Sequence, residues 1–210
     1  MDNDVNNSAL RDIPGYFAET LRQHGATAKG VDWNGEESQR VRFRQLSKII
    51  AGEDAFSLND LGCGYGAYYD FLAGRYADFS YAGFDITPEM LQAAEGRLAG
   101  KKNVRLALAA EPDTEADYTV ASGIFNLRLG VSDADWLRYI ERGLDIMARA
   151  SRLGFAFNCL TAYSDPPKMR PDLYYAAPCA LFDRCKRLYS RNVALLHDYS
   201  LYEFTILVRL

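Results

Sequence analysis

Several features that mark other classes of protein are scarce in this chain of 210 residues. It has only two histidines, and its four cysteines (Cys63, Cys159, Cys179 and Cys185) form no Cys-x-x-Cys pair, which argues against a structural zinc site. No apolar run approaches the roughly 20 residues of a membrane-spanning helix, and residues 1–12 lack the basic and apolar segments of a signal peptide. We therefore expect no metal centre, no membrane span and a cytoplasmic location.

Excess positive charge is also missing. The formal net charge is −4 and the isoelectric point is about 5.3, which argues against general binding to nucleic-acid backbones. Hydrophobic residues make up 49% and charged residues 25% of the chain, as in ordinary globular proteins. The length predicts one compact domain, made of an N-terminal tail and helical cap (1–55) and a ligand-binding part (56–210).

Three glycines at alternate positions form the most informative stretch, Asp60-Leu61-Gly62-Cys63-Gly64-Tyr65-Gly66. It follows the apolar run Phe56–Leu61 and precedes a segment, Ala67–Arg75, that can form a helix. Glycine tolerates positive φ and lets backbone N–H groups approach a ligand, while a helix N-terminus adds partial positive charge. The pattern predicts a strand, a tight turn and a helix that together bind a polar ligand.

An acidic residue follows at the distance that a nucleotide-type ligand requires. Asp85 lies 19 residues after Gly66 and closes the apolar run Phe79–Phe84. In dinucleotide-binding folds an acid about 20 residues past the glycines holds the ribose hydroxyls. Thr87 and Pro88 then supply the N-cap and first residue of a helix.

The rest of the chain alternates predicted helices and strands. We predict helices at 15–25, at 34–50 with a capping box from Asn34 to Glu37, at 88–98, from Ser132 and at 178–188, and strands at 103–108, 117–122, 153–160, 192–199 and 203–208. Residues 162–178 read as an irregular segment whose tyrosines favour an acceptor-binding wall. The last two strands, a few residues apart, predict a hairpin.

The glycine stretch and the segment Phe84-Asp85-Ile86-Thr87-Pro88-Glu89-Met90-Leu91 resemble the first two motifs of class I S-adenosylmethionine-dependent methyltransferases. The resemblance extends over about residues 56–210 and implies an α/β fold with a doubly wound, mostly parallel seven-stranded sheet that ends in an antiparallel β-hairpin. It implies S-adenosylmethionine as cofactor and a small molecule or short peptide, methylated on oxygen or nitrogen, as acceptor. The helices before the glycines would form a lid, with Trp33, Gln39, Arg40 and Arg42 as candidates.

The resemblance also implies a cofactor site. Asp85 would hold the ribose, Ile86 would pack on adenine, and the glycine turn would hold the methionine half. The full set of candidates is Asp60, Gly62, Cys63, Gly64, Gly66, Asp85, Ile86, Glu111, Ser122 and Gly123. Many family members place an aspartate after the third strand to contact adenine, whereas this chain has Ala109-Ala110-Glu111. Either Glu111 replaces that aspartate, or backbone groups bind the adenine.

The acceptor side leaves more alternatives open. His197, at the predicted end of the sixth strand, is a candidate general base or a structural corner residue, with Tyr199 and Asn126 as further catalytic candidates. Methylation of a neutral amine would need no base. Two competing hypotheses are a catalytically inactive cofactor-binding partner and an NAD-dependent oxidoreductase. The residues of the glycine motif favour the methyltransferase. The acceptor and the oligomeric state stay open.

Overall fold

The computed structural model describes residues 11–52 and 55–210. Most of the tail predicted for residues 1–12 lies outside the described residues. In chain order the elements are α1 (Ile13–His24), α2 (Glu36–Leu46), β1 (Phe56–Leu61), α3 (Ala67–Ala73), β2 (Phe79–Asp85), α4 (Pro88–Arg97), β3 (Val104–Leu108), β4 (Ala116–Ala121), α5 (Asp133–Arg149), β5 (Ser151–Leu160), α6 (Pro178–Leu188), β6 (Asn192–Leu196) and β7 (Glu203–Arg209). Short 3₁₀ turns lie at Lys29–Val31, Ser47–Ile49 and Pro166–Lys168.

The seven strands form one sheet in the order β3-β2-β1-β4-β5-β7-β6. Strands β1 to β5 pair in parallel, and β7 lies antiparallel between β5 and β6. The predicted doubly wound sheet and its terminal antiparallel hairpin are therefore confirmed. The strand order reverses direction at β1 and β4, and ligands bind beside such a point in open α/β sheets.

Hydrophobic residues cover both faces of the sheet. One core cluster contains Phe125 and Phe157 with the α5 residues Trp136 and Ile140, all fully buried. The other contains β1 residue Leu58 with side chains of α2 and α3. Because helices cover both faces, the central strands β1 and β4 are buried at five of their six positions rather than in alternation.

The helix starts agree with the sequence signals in two cases and not in a third. Ser132 caps α5 as predicted, with its Oγ accepting from Asp135 N at 3.2 Å, and Thr87 precedes α4 with Pro88 at its first position. The capping box from Asn34 was wrong. The N-cap of α2 is Gly35, and no side chain caps this helix, because Asn34 lies one residue too early to reach its amides.

The N-terminal helices pack on the part that follows them. Helix α1 contacts α4, whereas α2 contacts β5 and β7. Arg209 of β7 donates from Nη2 to the carbonyl oxygen of Lys48 at 2.8 Å, directly after α2. In the described ranges no helix combines the length and the apolar character needed to cross a bilayer.

Candidate functional site

A cavity of about 550 Å³ opens where the parallel strands end. Its lining includes a residue at or just past the carboxyl end of each parallel strand: Leu61, Asp85, Ala109, Ser122 and Leu160. Of the predicted cofactor residues, this cavity brings together Gly62, Gly64, Asp85, Ile86, Ser122 and Gly123. Its volume lies in the range of roughly 300–1,000 Å³ that is usual for small-molecule sites.

The glycine turn is bound to the end of β2 by its own amides. The N–H groups of Gly62 and Cys63 both donate to the Phe84 carbonyl oxygen, at 2.8 and 3.0 Å, and Gly64 N donates to Asp85 Oδ2 at 2.8 Å. The expectation that these amides face a ligand was therefore wrong. The carbonyl oxygens of the turn can accept hydrogen bonds from an ammonium group.

Two of the glycines are required by close approach. Gly62 has φ 74°, and a Cβ there would lie 2.1 Å from Cγ2 of Ile124. Gly123 has φ 82°, and a Cβ there would lie 2.5 Å from the indole ring of Trp33. Both positions combine positive φ with a filled space, so only glycine fits. Gly66 lies outside the cavity lining and precedes α3 as its N-cap.

Asp85 is buried at the cavity and already holds two backbone amides. Its Oδ1 accepts from Thr87 N at 2.8 Å, and its Oδ2 accepts from Gly64 N at 2.8 Å. Burial raises the pKa of this carboxyl, while the two amides act in the opposite direction. Each carboxylate oxygen keeps a further lone pair, so Asp85 can accept from a pair of ribose hydroxyls as well.

A small cleft of about 50 Å³ adjoins the glycine turn and is lined by the predicted residues Asp60 and Cys63. The Asp60 carboxylate is buried and accepts from the hydroxyl of Tyr81 at 2.6 Å. Burial raises the pKa of Asp60 to about 7, partly offset by the Tyr81 hydrogen bond. An ammonium group placed in this cleft would favour the ionised carboxylate.

The raised pKa of Asp60 predicts a pH dependence of stability. Between about pH 4 and pH 7 the folded protein keeps a proton on Asp60 that the unfolded chain has lost, so the free energy of unfolding falls as the pH rises through this window. Asp60→Asn should remove this contribution and stabilise the protein at pH 8 by up to about 4 kcal/mol, at about 1.36 kcal/mol per pKa unit.

Urea unfolding of the wild type and Asp60→Asn at pH 5 and pH 8 measures the effect. Asp78→Asn, at the exposed opposite end of β2, is the matched control and should follow the wild type. Equal stability differences between pH 5 and pH 8 for the wild type and Asp60→Asn would contradict the assignment.

Glu111, the predicted replacement for the missing acid, is outside the cavity lining. Its Oε1 accepts from Arg142 Nη2 of α5 at 3.2 Å, and its side chain is 42% exposed. Ala109 and Ala110 line the cavity instead. The prediction for Glu111 thus loses its geometric basis, because the arginine holds the carboxylate on the outer side of the loop.

Of the three catalytic candidates, the structure brings only Asn126 to the cavity. His197 is exposed just past β6, the outermost strand, with its ring 6.1 Å from that of Phe204. Tyr199 shares a hydrogen bond of 3.0 Å with Thr205 Oγ1. The roles predicted for His197 and Tyr199 need correction, because His197 is exposed beside the edge strand β6 and the Tyr199 hydroxyl is hydrogen-bonded to Thr205 of β7.

Asn126 is buried, and its two amide atoms differ in their surroundings. Its Oδ1 accepts from Leu160 N at 2.9 Å, which connects the segment after β4 to the end of β5. Its Nδ2 has no hydrogen-bond partner within residues 11–52 and 55–210. This amide can therefore donate to an oxygen or nitrogen atom of a ligand in the cavity.

Sequence reasoning missed a buried ion pair at the floor of the cavity. Arg42 Nε donates to Oε1 and Oε2 of Glu203 at 2.9 and 2.8 Å, and both residues line the cavity. Asn158 Nδ2 donates to Glu203 Oε2 at 2.6 Å, and its Oδ1 accepts from Gly123 N at 2.8 Å. The network thus connects helix α2 to the backbone of Gly123, just after β4.

The predicted lid residues differ in whether they reach the cavity. Trp33 lies on the Arg42 guanidinium, 3.8 Å from Cζ to the ring centroid, and both line the cavity. Gln39 accepts from the hydroxyl of Tyr65 at 3.0 Å beside the small cleft. Arg40 is exposed and outside both linings, so its prediction as a lid residue was wrong: it points away on the solvent side of α2.

A polar cluster contributes Asp32 and Arg170 to the cavity lining. Asp32 Oδ2 accepts from the hydroxyl of Tyr16 at 3.0 Å and from Arg170 Nη1 at 3.0 Å, and Arg170 also pairs with Asp172. The cluster joins α1, the turn after it and the segment after β5. Hydrogen bonds between partly exposed groups thus hold these three parts of the chain together.

Leucine and tyrosine side chains line the part of the cavity beyond Asn126. The segments after β4 and β5 are paired there, with Leu127 opposite Leu173 and Thr161 opposite Ala176. The apolar and aromatic lining on this side consists of Leu127, Leu160, Leu173, Tyr175, Leu201 and Tyr202. Within the described ranges no three His, Cys, Asp or Glu side chains are grouped to hold a metal ion.

Comparison with known proteins places these features in a family. A family model described as a methyltransferase domain matches residues 59–149. The Mycobacterium tuberculosis protein named "Putative methyltransferase Rv1506c" is 60% identical over 162 residues, which are 77% of this chain and 98% of that protein.

Solved structures share the fold at low identity. DhpI, in a complex with SAM and HEP, has a TM-score of 0.64 at 16% identity and covers 95% of this chain and 96% of its own. The N-methyltransferase NodS from Bradyrhizobium japonicum WM9, with S-adenosyl-L-homocysteine, has a TM-score of 0.63 at 14% identity, covering 92% and 97%.

Proposed function

Because the chain belongs to the class I S-adenosylmethionine-dependent methyltransferases, we propose that it methylates a nitrogen or oxygen atom of a small, largely apolar acceptor. The cofactor is S-adenosylmethionine, whose sulfonium methyl group supplies the electrophilic carbon. The observation that carries the acceptor class is the cavity of about 550 Å³, whose lining contains both the predicted cofactor residues and the leucines and tyrosines beyond Asn126.

The cofactor-side residues fit the three parts of S-adenosylmethionine. Asp85 offers carboxylate lone pairs for the ribose hydroxyls, and Ile86 offers an apolar face for the adenine. The Ser122 hydroxyl is buried beside the glycine turn and has no hydrogen-bond partner among the described residues, so it can bind a polar group of the methionine half. The positions of these side chains support the assignments.

The acceptor side favours a small molecule because the cavity has a volume of about 550 Å³, which is usual for small-molecule sites. Asp32 and Arg170, which are hydrogen-bonded to each other, form part of its lining. The Asn126 amide would donate to the acceptor and orient it toward the methyl group. The cluster of Tyr16, Asp32 and Arg170 would exclude water during methyl transfer.

The protonation chemistry favours an acceptor that is already nucleophilic. The cavity-lining carboxylates of the described chain, Asp32, Asp85 and Glu203, all accept hydrogen bonds from protein groups. None of these three carboxylates is therefore free of protein hydrogen bonds and available as a general base. His197 lies outside the lining. A neutral amine or a carboxylate needs no deprotonation in the cavity, so these groups head the list of acceptors.

A methyl-transfer screen tests the proposal. Purified protein is incubated with methyl-tritiated S-adenosylmethionine and a panel of apolar amines and carboxylic acids, each with a fully polar analogue. We expect transfer to members of the apolar set, and treatment with mild base separates labile methyl esters from stable N-methyl products. Label found only on folded proteins or nucleic acids, with none on the small molecules, would contradict the proposed acceptor class.

A further inference from the structure

The adenine end of the proposed cofactor site lacks the acid that sequence reasoning looked for. Glu111 is held on the outer side of the loop by Arg142, and Ala109 and Ala110, which carry no polar side-chain atoms, line the cavity. An adenine ring has several hydrogen-bonding edge atoms, and leaving all of them unpaired in a partly closed site costs affinity. The remaining sources of these hydrogen bonds are the backbone groups of this loop and another side chain beside it.

Tyr139 of α5 is a polar side chain of the same cavity, and it packs against the same hydrophobic cluster as Ile86 and Ala109. It lines the cavity and lies one helical turn before Arg142, the residue that fixes the loop after β3 to the same helix. Its ring packs on Trp136, 4.7 Å between centroids, and against the edge of Phe125. The ring position is thus set by buried neighbours.

The hydroxyl of Tyr139, in contrast to its ring, makes no polar contact that stabilises the described part of the fold. It has no hydrogen-bond partner among residues 11–52 and 55–210. Burial raises the pKa of Tyr139, and the Asp85 carboxylate raises it further. The hydroxyl is therefore protonated and lies on the Asp85 side of the cavity, where it can donate as well as accept.

We propose that the Tyr139 hydroxyl hydrogen-bonds to the adenine ring of S-adenosylmethionine and takes the place of the acid that is missing after β3. The inference rests on the cofactor placement of the proposed function, in which Asp85 binds the ribose. The adenine then lies between Ile86 and the alanines of the loop, next to Tyr139. Tyr139 is a cofactor-binding residue and takes no part in methyl transfer.

Binding of two ligands to Tyr139→Phe tests this role without an acceptor. S-adenosylhomocysteine carries the adenine, whereas S-ribosylhomocysteine keeps the ribose and homocysteine but has no base. Tyr139→Phe should weaken S-adenosylhomocysteine by about three- to tenfold, as expected for one neutral hydrogen bond, and should leave S-ribosylhomocysteine unchanged. The melting temperature without ligand should stay the same, because the ring packing is retained.

Two control variants accompany the measurement. Glu111→Gln should leave the affinity for S-adenosylhomocysteine within about twofold of the wild type, because its carboxylate lies outside the cavity. Tyr69→Phe removes a hydroxyl that donates to Asn103 Oδ1 at 2.9 Å, away from the cavity, and should also leave the affinity unchanged.

An unchanged affinity of Tyr139→Phe for S-adenosylhomocysteine would overturn the inference, and so would equal losses for both ligands, which would place the hydroxyl on the ribose. Wild-type binding of S-adenosylhomocysteine is measured first and tests the cofactor placement separately. Normal wild-type binding together with an unaffected Tyr139→Phe contradicts only the role of Tyr139. The acceptor screen is independent of both results.

Discussion

Asp85→Ala should weaken the binding of S-adenosylhomocysteine by about 100-fold or more. Each hydrogen bond to a charged group contributes about 1.5–3 kcal/mol. In the proposed function Asp85, which lines the cavity, accepts two such bonds from the ribose. A loss of about 3 kcal/mol corresponds to more than a hundredfold in the dissociation constant. The substitution also removes the acceptor for Gly64 N and Thr87 N and so loosens the glycine turn.

Isothermal calorimetry with S-adenosylhomocysteine measures this loss directly. Asp85→Asn keeps the shape and one acceptor oxygen, so its affinity should fall between those of the wild type and Asp85→Ala. Asp78→Ala, at the exposed opposite end of β2, should bind as the wild type does. A loss of less than about fivefold in a folded Asp85→Ala protein would contradict the ribose assignment.

Arg42→Met should lower the free energy of unfolding by about 3–5 kcal/mol. Arg42 and Glu203 have side chains that are only 6% and 1% exposed, and removing one partner of such a pair leaves the other charge buried without compensation. For a chain of this length a loss of 3–5 kcal/mol corresponds to a fall in the melting temperature of roughly 10 °C. Chemical unfolding and thermal scans measure the two quantities.

A double variant separates the loss of charge pairing from the loss of packing. In Arg42→Met/Glu203→Gln the buried side chain is neutral and can still accept from Asn158 Nδ2, so more than half of the lost stability should return. Arg44→Ala, an exposed neighbour on the same helix, should change stability by less than about 0.5 kcal/mol. Equal losses in the single and the double variant would show that the ion pair is not the cause.

The order of the elements could be predicted because local signals agreed with the final structure. The run Phe56–Leu61, the glycines after it and the proline that starts Pro178–Leu188 each act within a few neighbours, and the structure has these boundaries. The terminal hairpin followed from two β runs a short distance apart. Asn34 failed as a cap because its effect depends on where the helix begins, to within one residue.

The acceptor side was harder to predict because its contacts join distant parts of the chain. Arg42 and Glu203 are separated by 161 positions, and neither has a neighbour in sequence that announces the pair. His197 was a candidate because it lies at the predicted carboxyl end of the sixth strand, but β7 lies between β6 and the parallel strands. Tyr139 was not among the predicted site residues, because its place in the cavity lining depends on how α5 packs against the ends of the strands.

The ion pair between Arg42 and Glu203 also bears on how the protein assembles during translation. Domains commonly begin to fold from the N-terminus while the chain is still being made, but α2 has its buried partner in the last strand, β7. When Arg42 leaves the ribosome, its partner carboxylate has not yet been synthesised. The ion pair between α2 and β7 can therefore form only after β7 has been synthesised, later than the contacts that α2 makes with β5.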